Sequence, residues 1–174
     1  MKLDDNDFQL FELPEVQRVD RDALDARWRQ LQSATHPDRF VAEGAAAQRV
    51  AMQWALRINE AHRRLKDPLA RAAYLCELRG APIDAERNTA MPASFLMQQM
   101  AWREALDDAR TAAEVDRLDT EVAEHDARLL QHLEHLLDDE HDAVAAAAEV
   151  RALMFVRRFR QDLARRQEAL EAAG

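Results

Sequence analysis

The sequence contains one cysteine, Cys76, three glycines and five prolines among 174 residues. A single cysteine excludes an internal disulfide framework and a CxxC metal clip, and it is typical of a reducing compartment. Few glycines and prolines, with abundant Ala, Leu, Glu, Gln and Arg, favour helix throughout the chain. We therefore predict an all-α protein in which Cys76 is buried as a small apolar side chain.

No stretch of the chain approaches the roughly 20 apolar residues of a membrane span. The first residues include Asp4 and Asp5, whereas a signal peptide begins with basic and then apolar residues. The sequence therefore predicts a cytoplasmic protein without a leader and without a membrane as its partner.

Positive charge is scarce in the second half of the chain, and the formal net charge is −9. Up to Gly80 there are 13 basic and 13 acidic residues, and beyond it 11 basic and 20 acidic ones. Between Glu104 and Glu149 stand 15 acids and three arginines. A surface of this charge argues against nucleic acid as a ligand.

Apolar periodicity and proline positions predict a helical hairpin in the first half. A short helix over 8–14 is followed by one that begins after the N-cap Asp20 and ends before Pro37. A helix over 45–66 completes the hairpin, and another over 69–78 ends at Gly80. We expect the core to contain Phe8, Leu10, Phe11, Leu24, Trp28, Leu31, Thr35, Ala47, Val50, Trp54, Ile58, Ala61 and Leu65.

The second half predicts three helices over 93–110, 112–138 and 141–172, which can form an antiparallel three-helix bundle. The domains are then 1–80, with a linker helix, and 81–174. In the first helix of the bundle Phe95, Trp102, Leu106 and Ala109 lie within roughly 40° of one another at about 100° per residue, which predicts a buried stripe.

Catalytic motifs are lacking: the sequence has no glycine-rich phosphate loop, no nucleophile elbow and no zinc-protease helix, so we predict no enzyme and no cofactor. Four histidines, His125, His132, His135 and His141, lie in or beside the acidic region. A softly bound metal is one interpretation. Solvated histidine on a charged face is favoured because no tight set of three or four ligands converges, so we predict no metal site.

The segment Thr35–Phe40 contains His36-Pro37-Asp38-Arg39 between two amphipathic helices. Alone, the tripeptide His36-Pro37-Asp38 indicates only a turn. Pro37 stiffens the loop, however, so that the side chains of His36 and Asp38 can be displayed to a partner in a fixed geometry.

This loop, with Arg21, Arg27 and Arg29 upstream and the segment Ile58–Leu65 downstream, resembles a J domain over residues 8–75. J domains bind ATP-driven chaperones of the DnaK type. The resemblance implies a chaperone-binding set of His36, Pro37, Asp38, Arg39, Arg21, Arg27 and Arg29. The usual lysine after the aspartate is Arg39 here, and the usual tyrosine before the histidine is Thr35.

The segments 67–75, 94–100 and 103–106 are similar to those of the HscB family of iron–sulfur-cluster co-chaperones. The resemblance implies an adaptor that catalyses no reaction, with the chaperone HscA and the cluster scaffold protein IscU as partners. We expect a monomer or weak dimer. The cysteine-rich metal module of longer relatives has no counterpart in this sequence. A general J-domain co-chaperone for unfolded clients is the alternative.

The bundle helix that starts near residue 93 carries a second apolar face. Leu96, Met97 and Met100 lie roughly 100° to 200° from Phe95, and acids follow them in the sequence. Periodicity leaves open whether this face is core or a binding surface, and it leaves Phe155 equally open. The family's scaffold-binding positions match Leu96, Met97, Met100, Glu104, Asp108 and Phe155, whereas one acidic position is Ala101 here.

Overall fold

The computed structural model describes residues 4–173, and these form seven α-helices with two short irregular helical segments between them. The elements are α1 (Asp7–Phe11), α2 (Arg21–Thr35), a 3₁₀ helix (Pro37–Glu43), α3 (Ala45–Lys66), α4 (Pro68–Leu78), α5 (Ala93–Asp108), α6 (Ala112–Glu134), a π-helical turn (His135–Asp139) and α7 (Ala143–Ala173). The prediction of an all-α fold is confirmed. In this part of the chain no helix is long and apolar enough to cross a membrane.

Contacts divide the chain inside α4, into one unit that ends at Tyr74 and a second that starts at Leu75. The boundary predicted from the sequence, after Gly80, lies slightly further along the chain. Gly80 ends α4 with a φ of 78°, a left-handed conformation that glycine adopts without steric cost.

The N-terminal unit is a hairpin of α2 and α3 closed by α1. The Asp20 side chain accepts hydrogen bonds from the backbone N–H groups of Asp22 and Ala23 at 2.9 and 3.1 Å and so begins α2. Pro37 follows the last turn of α2. The core of the unit is apolar and includes the predicted Phe8, Leu10, Phe11, Leu24, Leu31, Ile58, Ala61 and Leu65.

The prediction that Trp28, Trp54 and Val50 lie in this core is wrong, because both tryptophans are only half-buried and Val50 is exposed. The buried residues of α3 are Ala51, Ile58, Ala61 and Leu65, and a surface helix buries only the stripe that faces its neighbours. Trp28 lies at the edge of the core of this unit, where its indole N–H donates to the Asn59 side-chain oxygen at 2.9 Å.

A buried carboxylate, which the sequence did not indicate, joins α1 to α3. The Asp7 side chain is buried and lies 2.6 Å from a guanidinium nitrogen of Arg57 and 2.6 Å from one of Arg64. The Asp7 backbone N–H donates to the hydroxyl of Tyr74 at 3.1 Å. The charge of Asp7 is thus compensated by two arginines that each retain some access to water.

Replacing this carboxylate, as Asp7→Asn, is expected to lower the free energy of unfolding of the N-terminal unit by about 3 kcal/mol, since it leaves two arginines without their buried partner. Urea unfolding measures the loss, and hydrogen exchange of α1 and α3 amides assigns it to this unit. Asp4→Asn, at an exposed position nearby, is the control and should change the stability by less than about 0.5 kcal/mol. Equal stability of the two variants would contradict the role given to Asp7.

The C-terminal unit is a helical bundle in which α6 packs along α7. The Thr111 hydroxyl accepts from the backbone N–H of Glu114 at 3.3 Å, while the Glu114 carboxylate accepts from that of Thr111 at 3.0 Å, a capping box that starts α6. The helix predicted over 112–138 ends at Glu134, where the π-helical turn follows. The predicted burial of Cys76 is confirmed, and burial raises the pKa of its thiol to about 11.

Candidate protein-interaction sites

The tip of the hairpin in the N-terminal unit displays the predicted His36-Pro37-Asp38 segment to solvent. The Asp38 side chain is 86% exposed, and its carboxylate lies 3.6 Å from Nδ1 of His36. The backbone N–H of Asp38 donates to the same Nδ1 at 3.3 Å. The loop expected over 36–39 is in fact the start of a 3₁₀ helix, because Pro37 has a preset φ and needs no donor at the first helical position. This helix fixes the backbone from which the Asp38 side chain extends into solvent.

The basic residues predicted to bind the chaperone together with this tip differ in accessibility. Arg21 and Arg29 are exposed on α2. Arg27 is half-buried and pairs with the carboxylate of Glu12, so its charge is already partly compensated. The Arg39 guanidinium donates to the backbone oxygen of Ser33 at 3.3 Å, which ties the tip to the end of α2.

In the C-terminal unit, α5 presents what we call the apolar patch, defined as Leu96, Met97 and Met100. Their exposed fractions are 41%, 76% and 70%, so these side chains are not part of the core. Glu104 and Asp108, also exposed, continue the same face toward the end of α5. Ala101 is exposed as well. The structure thereby brings five of the six predicted scaffold-binding residues onto one helix.

The apolar patch is exposed because the opposite face of α5 packs in the core of the bundle. Phe95 and Trp102 are buried there with ring centroids 6.1 Å apart, and the Trp102 indole N–H donates to Glu121 of α6 at 2.9 Å. The His125 ring packs against both, at 5.8 and 5.0 Å. Burial lowers the pKa of His125, so this ring supports α5 as a neutral group. The sequence did not single out His125 for this position.

Phe155 on α7, the sixth predicted scaffold-binding residue, is half-buried. Its ring lies 5.7 Å from that of Phe95 and 6.0 Å from that of Phe159. The guanidinium carbon of Arg103 lies 5.2 Å from the ring centroid, a cation–π contact. Phe155 is therefore packed against the core on one side and accessible on the other.

His132 pairs with one acidic side chain and His135 with two, whereas Nδ1 of His141 lies 3.3 Å from the backbone oxygen of Leu137. His132 lies 3.2 Å from Glu149, and His135 lies 2.9 Å from Asp139 and 3.0 Å from Glu140. The hydrogen bond to Asp139 raises the pKa of His135. Within residues 4–173, no group of three or more histidine, cysteine or acidic side chains is arranged to hold a metal ion.

A helical hairpin with an exposed His-Pro-Asp tip, followed by a helical bundle, defines the class of J-domain co-chaperones, and comparisons with known proteins agree. Residues 91–164 match the model of the HSCB C-terminal oligomerisation domain. The co-chaperone protein HscB homolog of Burkholderia multivorans is 50% identical over 174 residues, which cover 98% of this chain and 99% of that protein. The chain belongs to the HscB family of co-chaperones.

Solved structures show the same fold. The chaperone HscB from Vibrio cholerae matches with a TM-score of 0.84 and 34% identity, over 95% of this chain and 99% of that one. The human co-chaperone HscB matches with a TM-score of 0.85 at 22% identity, over 94% of this chain and 82% of that one, and shares the fold.

Proposed function

We propose that this protein is a cytoplasmic adaptor in iron–sulfur cluster assembly. In this proposal it binds the scaffold protein IscU, delivers it to the DnaK-type chaperone HscA and stimulates the ATPase of HscA, while catalysing no reaction itself. One observation carries the proposal: a single chain of the HscB family exposes a His-Pro-Asp tip in one unit and an apolar patch in the other.

Asp38 is the proposed contact with the chaperone. A carboxylate held on a 3₁₀ turn and 86% exposed can pair with an arginine of the chaperone through a charge-assisted hydrogen bond. Arg21 and Arg29 add positive charge that can meet an acidic surface. His36 and Pro37 orient Asp38, and Arg39 anchors the tip through Ser33. Arg27 is the least accessible member of the predicted set.

The apolar patch is the proposed contact with IscU. Methionine side chains adapt to an apolar partner, and exposed methionines are common on binding surfaces. Glu104 and Asp108 can steer a basic partner to one end of the patch. Phe155 can contribute its accessible edge. Ala101 stands where relatives carry an acid, so we propose that one charge contact is absent here.

The two sites lie on one chain, which raises the local concentration of IscU at a bound chaperone. Short links typically give effective concentrations in the millimolar range, so weak individual contacts suffice for a transient ternary complex. The predicted state of the adaptor, a monomer or weak dimer, is compatible with this arrangement.

The test is the steady-state ATPase rate of HscA, measured alone, with this protein, and with this protein and IscU together. We expect the protein to raise the ATPase rate of HscA and IscU to raise it further, because the adaptor presents IscU to HscA while its J domain binds HscA. No stimulation by this protein, with or without IscU, would refute the proposed function. A rate that responds to unfolded peptides but not to IscU would instead indicate the general J-domain co-chaperone.

A further inference from the structure

The C-terminal unit contains a cavity in which Phe155 is the one residue already proposed as an IscU contact. Its volume is about 210 Å³, and it lies between the segment before α5 and the middle of α7. Ala85, Met91, Met154 and Phe155 form apolar parts of its wall. Because Phe155 also packs on Phe95 of α5, the cavity adjoins the helix that carries the apolar patch.

Two arginines, two helical turns apart on α7, face this cavity. Arg151 is only 6% exposed, and its guanidinium donates to the backbone oxygens of Ala90 at 2.6 Å and Ile83 at 3.1 Å. Arg158 is exposed at the rim. Among the described residues, neither arginine forms an ion pair with a carboxylate. Backbone oxygens orient the Arg151 guanidinium without neutralising its charge.

The charge around Phe155 is opposite to that at the other end of the patch. Arg103, above the Phe155 ring, also has no carboxylate partner in the described part of the chain, so three arginines surround this region. The acids Glu104 and Asp108 lie toward the end of α5. An unpaired buried charge is unfavourable, and it favours any ligand that brings a carboxylate to it.

We propose that this cavity receives an acidic side chain of the scaffold protein, with the apolar stem of that side chain or of its neighbour against Met154 and Phe155. The inference rests on the proposed function, because the occupant is IscU. The proposal gives the IscU surface a defined order of contacts. A basic group of IscU meets Glu104 and Asp108, an apolar segment covers the apolar patch, and an acidic group enters the cavity. Opposite charges at the two ends then fix the orientation in which IscU binds.

Charge variants at the rim test this proposal by calorimetric titration with IscU. We expect Arg158→Glu to weaken binding about tenfold or more and Arg158→Gln about threefold, because a charge-assisted contact is reversed in one and removed in the other. The matched control is Arg165→Glu, which makes the same charge change on an exposed arginine of α7 that does not line the cavity. It should stay within about twofold of the wild type.

A cavity-filling variant, Ala85→Phe, distinguishes two ways in which the cavity could favour IscU binding. It blocks entry of a side chain into the cavity, but it leaves the long-range attraction of the arginines unchanged. Ala85 is exposed at the cavity wall in the segment before α5, so the larger ring can fill the space while both arginines remain. We expect about tenfold weaker binding of IscU with unchanged helicity by circular dichroism. In the wild-type protein, the methyl resonances of Met91 and Met154 should shift when IscU is added.

The outcomes distinguish this inference from the function on which it rests. If IscU does not bind the wild-type protein, the proposed function itself fails. If IscU binds and Leu96→Ala/Met100→Ala loses binding, but Arg158→Glu and Ala85→Phe behave like Arg165→Glu, only the cavity proposal is overturned. Weaker binding by Arg158→Glu and by Ala85→Phe, which Arg165→Glu does not share, supports the cavity proposal together with the methyl shifts.

Discussion

Asp38→Asn is expected to abolish stimulation of the HscA ATPase while leaving the fold and IscU binding unchanged. The substitution preserves the shape of the side chain and removes its charge, so a charge-assisted pair with an arginine of the chaperone cannot form. Losing one partner of such a pair in an interface typically costs about 2–5 kcal/mol, which corresponds to at least about 30-fold weaker binding of the chaperone. Because the Asp38 side chain is 86% exposed, its removal should cost the fold little.

The measurement is the HscA ATPase rate over a range of concentrations of the variant, with circular dichroism and IscU titration in parallel. Glu43→Gln is the matched control, since Glu43 is an exposed acid at the end of the same 3₁₀ helix. It should stimulate as the wild type does. Wild-type stimulation by Asp38→Asn would refute the assignment of the tip to the chaperone.

Leu96→Ala/Met100→Ala is expected to weaken IscU binding about 10- to 100-fold without affecting the stability of the bundle. Only a minority of interface residues, which cluster at the buried centre, each cost more than about 1 kcal/mol when truncated, and we place Leu96 and Met100 at that centre. Met100 is 70% and Leu96 41% exposed, on the face of α5 opposite the buried Phe95 and Trp102, so the core loses little packing. A stability loss would require that these residues be buried.

Calorimetric titration with IscU measures the binding, and thermal melting followed by circular dichroism measures the stability. The control is Val144→Ala, which truncates another exposed apolar residue of the same unit, outside the patch. If both variants bind and melt like the wild type, the patch is not the binding site. A large drop in melting temperature for Leu96→Ala/Met100→Ala would mean that these side chains support the core.

The two variants should also show opposite phenotypes. Asp38→Asn should bind IscU and fail to stimulate HscA, whereas Leu96→Ala/Met100→Ala should retain the stimulation that the J domain produces without cargo. A single variant that lost both properties would indicate that the tip and the patch do not act as separate sites.

Local signals in the sequence were enough to predict the helices and the exposed tip. The helix predicted over 45–66 matches α3, and Asp20 caps α2 as expected, because caps and prolines act on the backbone within a few residues. Low glycine and proline content determined the all-α class for the same reason. The π-helical turn over His135–Asp139 was not predicted, since no proline or glycine marks the place where α6 changes its hydrogen-bond pattern.

Features that depend on neighbouring elements were decided only by the tertiary structure. Periodicity showed that α5 has two apolar faces, and only the packing of Phe95 and Trp102 against α6 determined that Leu96 and Met100 face solvent. The same limit explains the half-buried Trp28 and Trp54, because a surface helix buries only the stripe that faces its neighbours. The partners of Asp7 and the surroundings of Arg151 come from residues distant in the sequence. Periodicity records the repeat of a single helix, whereas burial and charge compensation depend on which other helices lie beside it.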